Sequence, residues 1–320
     1  MSMTITVQNG MTVPAIGLGT FGSDKYTPAQ VAEAVSGAVR AGYRLIDCAE
    51  VYGNEAEIGA VLARLFADGV VTREELFITS KVWNDHHDEV EAACDRSLAA
   101  LGLDYVDAYF IHWPFPNYHA PGCDGDARNP NSRPFSASEF IRTYRQCEAL
   151  CRAGKIRSIG VSNMTVSKLE AVLPHLEIRP AFIEMELHPA FQQKELLEYV
   201  LAHGIRPVGF CPLGSPSRPE RDKTSDDIAA MSMPVIRAIA ADHGIHPAEV
   251  CLKWAHQRGA IPIPFSVKPE QYIANMHCPD TAPLTNEEMS RIEAADANCR
   301  LIKGQVFLWD GAAGWEDIWQ

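Results

Sequence analysis

The chain has 320 residues, 47% of them hydrophobic and 22% charged, the balance of an ordinary core-forming protein, which excludes disorder or a fibre as its main state. Its 28 Lys and Arg against 41 Asp and Glu leave a formal charge of −13, which repels phosphate backbones, so no nucleic-acid partner is expected. No apolar run nears the roughly 20 residues of a membrane span. Met1 to Val7 lacks the basic and apolar regions of a signal peptide, and the nine scattered cysteines read as reduced thiols of a cytoplasmic protein.

Along the chain two periodicities alternate. A short apolar run, Ala15 to Gly19, reads as a strand. Val31, Ala34, Val35, Ala38 and Val39 then form one helical stripe, with Thr27 as N-cap, Pro28 in the first turn and Gly42 at the end. Leu45-Ile46 is a buried strand, and Ile58, Val61, Leu62, Leu65 and Phe66 repeat the helical spacing. The pattern continues with strand 76–79, helix 88–101, strand 106–111, helix 138–152, strand 156–161 and helix 165–173. Strand 181–186, helix 193–202 and strand 206–210 follow, then a long loop and helices to about Gln257, and a last strand at 260–264. Apolar strands alternating with amphipathic helices imply a parallel sheet covered by helices, and a tally of about eight strands fits an α/β chain folded as a (β/α)8 TIM barrel. The competing open, doubly wound sheet wants a Gly-rich turn after the first strand, and Thr20-Phe21-Gly22-Ser23 does not complete one. No linker divides the chain, so residues 1–320 read as one domain. Segments 113–137 and 298–320 exceed what a barrel needs and read as binding loops.

A barrel places its active site at the C-terminal strand ends. Those ends carry Asp47, Lys81, His112, Ser162-Asn163 and Glu184, with Tyr52 five residues beyond Asp47. A phenol, with a reference pKa of ~10, is a poor acid–base catalyst near neutrality. Lys81 can lower that value, Asp47 can hold Lys81, and His112 can hydrogen-bond a substrate oxygen. The set makes a proton donor for a carbonyl oxygen; since no side chain supplies hydride, a nicotinamide is implied.

Gly42-Tyr43-Arg44-Leu45-Ile46-Asp47-Cys48-Ala49 with Tyr52-Gly53-Asn54-Glu55 resembles the first signature of the aldo-keto reductases. Leu103 to Asp107 through Ile111-His112-Trp113-Pro114, Gly154 to Asn163, Glu186-Leu187-His188-Pro189 and Pro212-Leu213-Gly214-Ser215 resemble further motifs of that family, in order. The resemblance implies a β-hairpin plug, Ile5 to Val13 around Asn9-Gly10, a long C-terminal loop, and a catalytic tetrad of Asp47, Tyr52, Lys81 and His112. Tyr52 would be general acid in reduction and base in oxidation. NAD(P)H would lie on the barrel face. Gly19, Thr20, Phe21 and Asp47 would line its site, Ser162, Asn163 and Glu184 would hold the carboxamide, and Phe210 would stack on the ring. Pro212, Leu213 and Ser215 would cover the pyrophosphate, with Phe265, Ser266, Gln271 and Asn275 at the adenosine end.

Phe265 and Gln271 stand where the family usually has Lys and Arg gripping the 2′-phosphate of NADP, which tilts the reading toward NAD, although Lys268, Arg218 or Arg221 could compensate. Glu184 replaces a Gln and still accepts from a carboxamide. Phe21, Trp83, His112 and Trp113 are expected to wall the substrate pocket, with the tail tryptophans, Trp309 among them, closing it. His188 reads as structural and His86-His87-Asp88 as a solvated helix opening; no metal ligand set is expected. The expectation is an oxidoreductase acting on a small sugar or other polar carbonyl, as a monomer or small homo-oligomer without a membrane partner. The alternatives are a non-catalytic cofactor-binding barrel and a metal-dependent barrel hydrolase.

Overall fold

The computed structural model describes residues 3–7, 10–22, 25–120, 122–125, 127–214 and 218–320. Strands β1 (Thr4–Thr6) and β2 (Thr12–Pro14) form an antiparallel hairpin with Ile5 opposite Val13. Asn9, expected at its turn, lies outside the described residues; Gly10 has φ 82°. Eight parallel strands follow in chain order: β3 (Leu18–Gly19), β4 (Leu45–Asp47), β5 (Phe77–Val82), β6 (Ala108–Ile111), β7 (Ile159–Ser162), β8 (Phe182–Glu186), β9 (Arg206–Phe210) and β10 (Ile261–Pro262), each paired with the next. The two outer strands meet as well. Gly17 N–H donates to Pro262 O at 3.0 Å and Gly19 N–H to Pro264 O at 3.1 Å, which closes the (β/α)8 barrel. Backbones approach closely at this seam: a Cβ on Gly19 would stand 2.9 Å from Ile263 O.

Among the described residues ten helices cover the strands: α1 (Pro28–Ala41), α2 (Glu55–Ala67), α3 (Val90–Leu101), α4 (Ala137–Arg152), α5 (Val166–Val172), α6 (Lys194–Ala202), α7 (Pro234–His243), α8 (Pro247–Gln257), α9 (Pro269–His277) and α10 (Asn286–Glu293). The expected start of α1 is confirmed, with Thr27 and Gln30 in a reciprocal capping box and Val31, Val35, Ala38 and Val39 buried. Inside the barrel, Val7 and Val13 of the hairpin cluster with Leu45, Phe77, Phe110, Phe182 and Val208, so the hairpin stoppers the N-terminal end. Helix stripes and outward strand faces make the larger core.

Several boundaries moved. The strand expected at 106–111 pairs continuously only over Ala108–Ile111, with Val106 making an isolated bridge to Ile156. The last ladder is two residues because prolines at 262 and 264 remove its donors. His86 ends a 3-10 turn, Asn84–His86, ahead of α3 and does not open the helix.

Candidate active site

At the C-terminal strand ends the structure opens a cavity of about 990 Å³. Beneath its floor Asp47, at the end of β4, pairs in register with Thr79 of β5. Its Oδ1 accepts from Thr79 Oγ1 at 2.6 Å and from Lys81 Nζ at 2.6 Å. Lys81 also donates to Cys48 O at 2.8 Å, and Glu184 Oε1 of β8 stands 3.3 Å from the same nitrogen. The Lys81 side chain is 0% exposed and both carboxyls 3%, so one cation is enclosed by two acids. A buried charge survives only with such partners.

Tyr52 is brought over this group by a 3-10 turn, Glu50–Tyr52, that ends on Gly53 in the left-handed region, φ 63°. The next two residues pin the turn: Asn54 Nδ2 donates to Thr20 O at 2.8 Å, and Glu55 Oε1 accepts from Ser80 Oγ at 2.6 Å. Lys81 Nζ lies 5.3 Å from the Tyr52 ring centroid. The Tyr52 ring stands 5.1 Å from Phe21 and 5.9 Å, edge-on, from His112. Asp47, Lys81 and His112, from three different strands, thus come together about the Tyr52 phenol.

Burial pushes the Tyr52 phenol above its ordinary value; Lys81 pulls it down, while Asp47, Glu184 and Cys211 push it up. Lys81 acts in the expected direction, but desolvation outweighs it. For Lys81, burial opposes its charge, yet Asp47, Glu184 and Tyr52 hold it well above the usual lysine range. Burial and the Lys81 charge keep the His112 imidazole well below its usual range, hence neutral. Its Nδ1 is buried without a hydrogen-bond partner.

Along the cavity wall, β7 and β8 set Ser162 opposite Glu184. Asn163 adopts φ 56°, which asparagine tolerates. Its N–H donates to Glu184 O at 3.2 Å and its Nδ2 to His112 O at 2.8 Å, leaving Oδ1 buried and unpartnered. Gly19, Thr20, Phe21, Phe210, Pro212 and Leu213 line the same cavity; Ser215 lies outside the described residues. At the far end are Phe265, edge-on to Tyr26 at 5.6 Å, with Ser266, Gln271 and Asn275. Ser266 Oγ donates to Gln271 Oε1 at 2.7 Å, and two acids, Glu249 and Glu270, join the lining there. Of the possible compensating cations, Arg218 is ion-paired with Asp227. Arg221 lines the cavity with Nε buried and unpartnered. The Arg221 carbonyl is anchored by Gln305 Nε2 at 2.6 Å, which ties it to the C-terminal segment.

Trp83, 5.0 Å from the His112 ring, and Trp113 line the cavity, and Phe307 packs 4.7 Å from Trp113. Trp309 does not: its carbonyl is held by Arg128 Nη1 at 2.7 Å, and its side chain packs behind the cavity wall on the cluster of Trp113, Phe115, Leu308 and Ile318. Trp319 lies 5.6 Å from Trp113, in the same cluster. The tail borders the cavity through Ile302, Gly304, Val306 and Phe307, while Trp309 and Trp319 brace it from behind. Tyr118, His119 and His246 also line the cavity and went unmarked in the sequence. The first two lie in the aperiodic 113–137 segment, whose path no pattern encodes; His246, before α8, had only its N-cap position as a signal. His188 is structural: its Nε2 meets Glu186 at 2.9 Å, and Glu186 accepts from Leu301 N–H at 2.7 Å and Ile302 N–H at 3.0 Å, fastening the tail to β8. Among the described residues no group of three or more His, Cys, Asp or Glu could hold a metal ion, and no helix is long and apolar enough to cross a membrane.

Residues 15–297 match the model of the aldo/keto reductase family. An aldo/keto reductase of Synechocystis sp. is 42% identical over 96% of this chain and 92% of its own length. The mouse aldo-keto reductase family 1 member A1 is 37% identical over 93% and 91%. The crystal structure of a Bombyx mori aldo-keto reductase in complex with NADP superposes with a TM-score of 0.82 at 32% identity, covering 94% of this chain and 95% of that one. A closed barrel with this constellation at its strand ends, matched over nearly its whole length, makes the chain an oxidoreductase of the aldo/keto reductase family.

Proposed function

We propose that the chain works as one barrel unit, in the cytoplasm, interconverting a small carbonyl compound and its alcohol with a nicotinamide dinucleotide, Tyr52 being the proton donor and acceptor. The observation that carries this reading is the phenol of Tyr52 poised over a buried Asp47–Lys81 pair on the wall of the cavity. The cavity also fits the cofactor. Asn163 Oδ1 and Glu184 Oε1 are buried polar atoms without hydrogen-bond partners where a carboxamide would satisfy them, and Phe210 offers a ring for stacking. When bound, the nicotinamide supplies or takes the hydride, which no side chain can do.

The chain's own residues do the rest. Tyr52 keeps its proton at neutral pH, so the donor for a developing alkoxide is always present in the reducing direction. In the oxidising direction the buried Lys81 charge is what stabilises the phenolate. Neutral His112 hydrogen-bonds the reacting oxygen. Trp83, Trp113 and Phe307 exclude water and give a small sugar or comparable carbonyl an apolar wall, with Tyr118 and His119 as polar contacts. Neutral Phe265 and Gln271 beside Glu249 and Glu270, and an Arg218 already paired with Asp227, favour a dinucleotide without a 2′-phosphate.

Tyr52→Phe tests the assignment. General acid–base groups contribute ~10²- to 10⁴-fold, so kcat should fall by that order while dinucleotide affinity stays. Turnover at the wild-type rate would remove Tyr52 from the mechanism.

A further inference from the structure

We propose that Glu184 makes dinucleotide affinity depend on the cofactor's oxidation state and on pH: its carboxyl holds a proton in the resting site and releases it to solvent when a cationic ring binds against it. The proposal rests on the cofactor reading above and names a specificity residue within that site.

The placement of Glu184 is rigid. It sits within β8, paired with Ser162 on one side and Val208 on the other. Its carbonyl accepts Asn163 N–H at 3.2 Å, and its side chain, 3% exposed, reaches the cavity wall. Around it are one cation and a second carboxyl. Lys81 gives its short hydrogen bonds elsewhere, to Asp47 Oδ1 at 2.6 Å and Cys48 O at 2.8 Å. Asp47 has a further donor in Thr79 Oγ1 at 2.6 Å. Glu184 Oε1 stands 3.3 Å from Lys81 Nζ without hydrogen-bond alignment.

Two carboxylates enclosing one ammonium would leave a surplus negative charge in a site with little access to water, and a single proton removes it. It belongs on the carboxyl with the fewer donors, which is Glu184. Burial, then the neighbouring Asp47, hold the Glu184 carboxyl well above the usual glutamic acid range, against the pull of Lys81. The other titratable groups near this space are Tyr52, which stays protonated, His112, which stays neutral, Cys211 after β9, and, on the far side of Lys81, Cys48 and Glu55, both pushed up chiefly by burial; none supplies a compensating positive charge.

The ring of an oxidised nicotinamide carries a positive charge that the reduced ring lacks. Beside Glu184 that charge stabilises the carboxylate, so the proton equilibrium and the preference for the oxidised form are linked. A glutamine at this position has no proton to exchange and cannot make the link.

The test compares NAD+ and NADH on the whole protein. Affinities are measured across pH by fluorescence titration, and protons released are counted by calorimetry in two buffers of different ionisation enthalpy. Wild type should release close to one more proton with NAD+ than with NADH. The ratio of the NAD+ to the NADH Kd should fall with rising pH, by up to about tenfold per unit where Glu184 titrates. Cofactor phosphates are common to both forms and cancel. In Glu184→Gln the proton difference should vanish and the ratio become flat. Without any cofactor, wild type should show an infrared band of a protonated, buried carboxyl that Glu184→Gln lacks. If Glu184→Gln does not fold, the wild-type proton count and the pH course of that band decide alone. Equal proton release with both forms, a flat wild-type ratio, or no protonated carboxyl would overturn the proposal while leaving the enzyme reading intact. Failure of both dinucleotides to bind would overturn the two together.

Discussion

Glu186 is the point at which the C-terminal segment is fastened to the barrel. Its carboxylate, wholly buried, accepts from Leu301 N–H, Ile302 N–H and His188 Nε2 at 2.7, 3.0 and 2.9 Å. Glu186→Gln keeps the shape but turns one acceptor oxygen into an NH2 group facing a donor. One backbone N–H is left buried and unmet, costing about 1–3 kcal/mol, and the remaining bonds lose their charge assistance, so the docked tail should be weakened by about 2–4 kcal/mol. At 1.4 kcal/mol per decade, local opening becomes about 30- to 700-fold more frequent. Amide hydrogen exchange at Leu301 and Ile302 reads this directly. Because Ile302, Val306 and Phe307 border the cavity, KM for the carbonyl should rise with little change in dinucleotide Kd. Exchange at those amides within about threefold of wild type would mean that the tail is held by something else and that this energetic reasoning is wrong. The same contact sets a pH limit. Although burial opposes it, His188, Arg300 and the Leu301 amide hold the Glu186 carboxyl below its ordinary value. A depressed carboxyl stabilises fully above the unfolded glutamate pKa of about 4.3, and that contribution fades as pH falls through the lower folded value. Tail docking, followed by fluorescence of the Trp113–Trp319 cluster, should therefore hold down to the glutamate range and be lost only in stronger acid.

Two further outcomes follow from the buried charges and from the far end of the cavity. Lys81→Met leaves Asp47 and Glu184 facing each other without a cation and should cost about 3–5 kcal/mol in urea unfolding at neutral pH, part of it recovered by adding Asp47→Asn. A loss below about 1 kcal/mol would show that Lys81 is not the charge holding the two acids. Phe265→Lys with Gln271→Arg should raise affinity for NADPH relative to NADH by about 30-fold or more, the lower end of what buried charge pairs contribute. Wild-type protein that already binds NADPH more tightly than NADH would refute the proposed preference.

The barrel and the polar group at its strand ends were legible because both rest on local patterns. Alternating apolar strands and striped helices report their own burial, and a polar residue at or just past the end of an apolar strand emerges at the barrel mouth, as Asp47 and His112 do. Trp309 was misjudged for the opposite reason. In a segment without periodicity, three tryptophans signal that something is packed but not on which side, and the Arg128–Trp309 contact joins residues 181 apart in sequence. The strand-end prolines shortened β10 more than apolarity alone suggested.

What the sequence determined by itself was the order of elements and which polar side chains stand at the strand ends, since periodicity, caps and strand ends are properties of neighbouring residues. Only the tertiary structure decided their energetics. It placed Glu184 on the Lys81 ammonium already claimed by Asp47, let burial outweigh that ammonium at Tyr52, and clamped the tail backbone onto Glu186. Each depends on distance and desolvation between segments far apart in the chain, quantities that no local pattern carries.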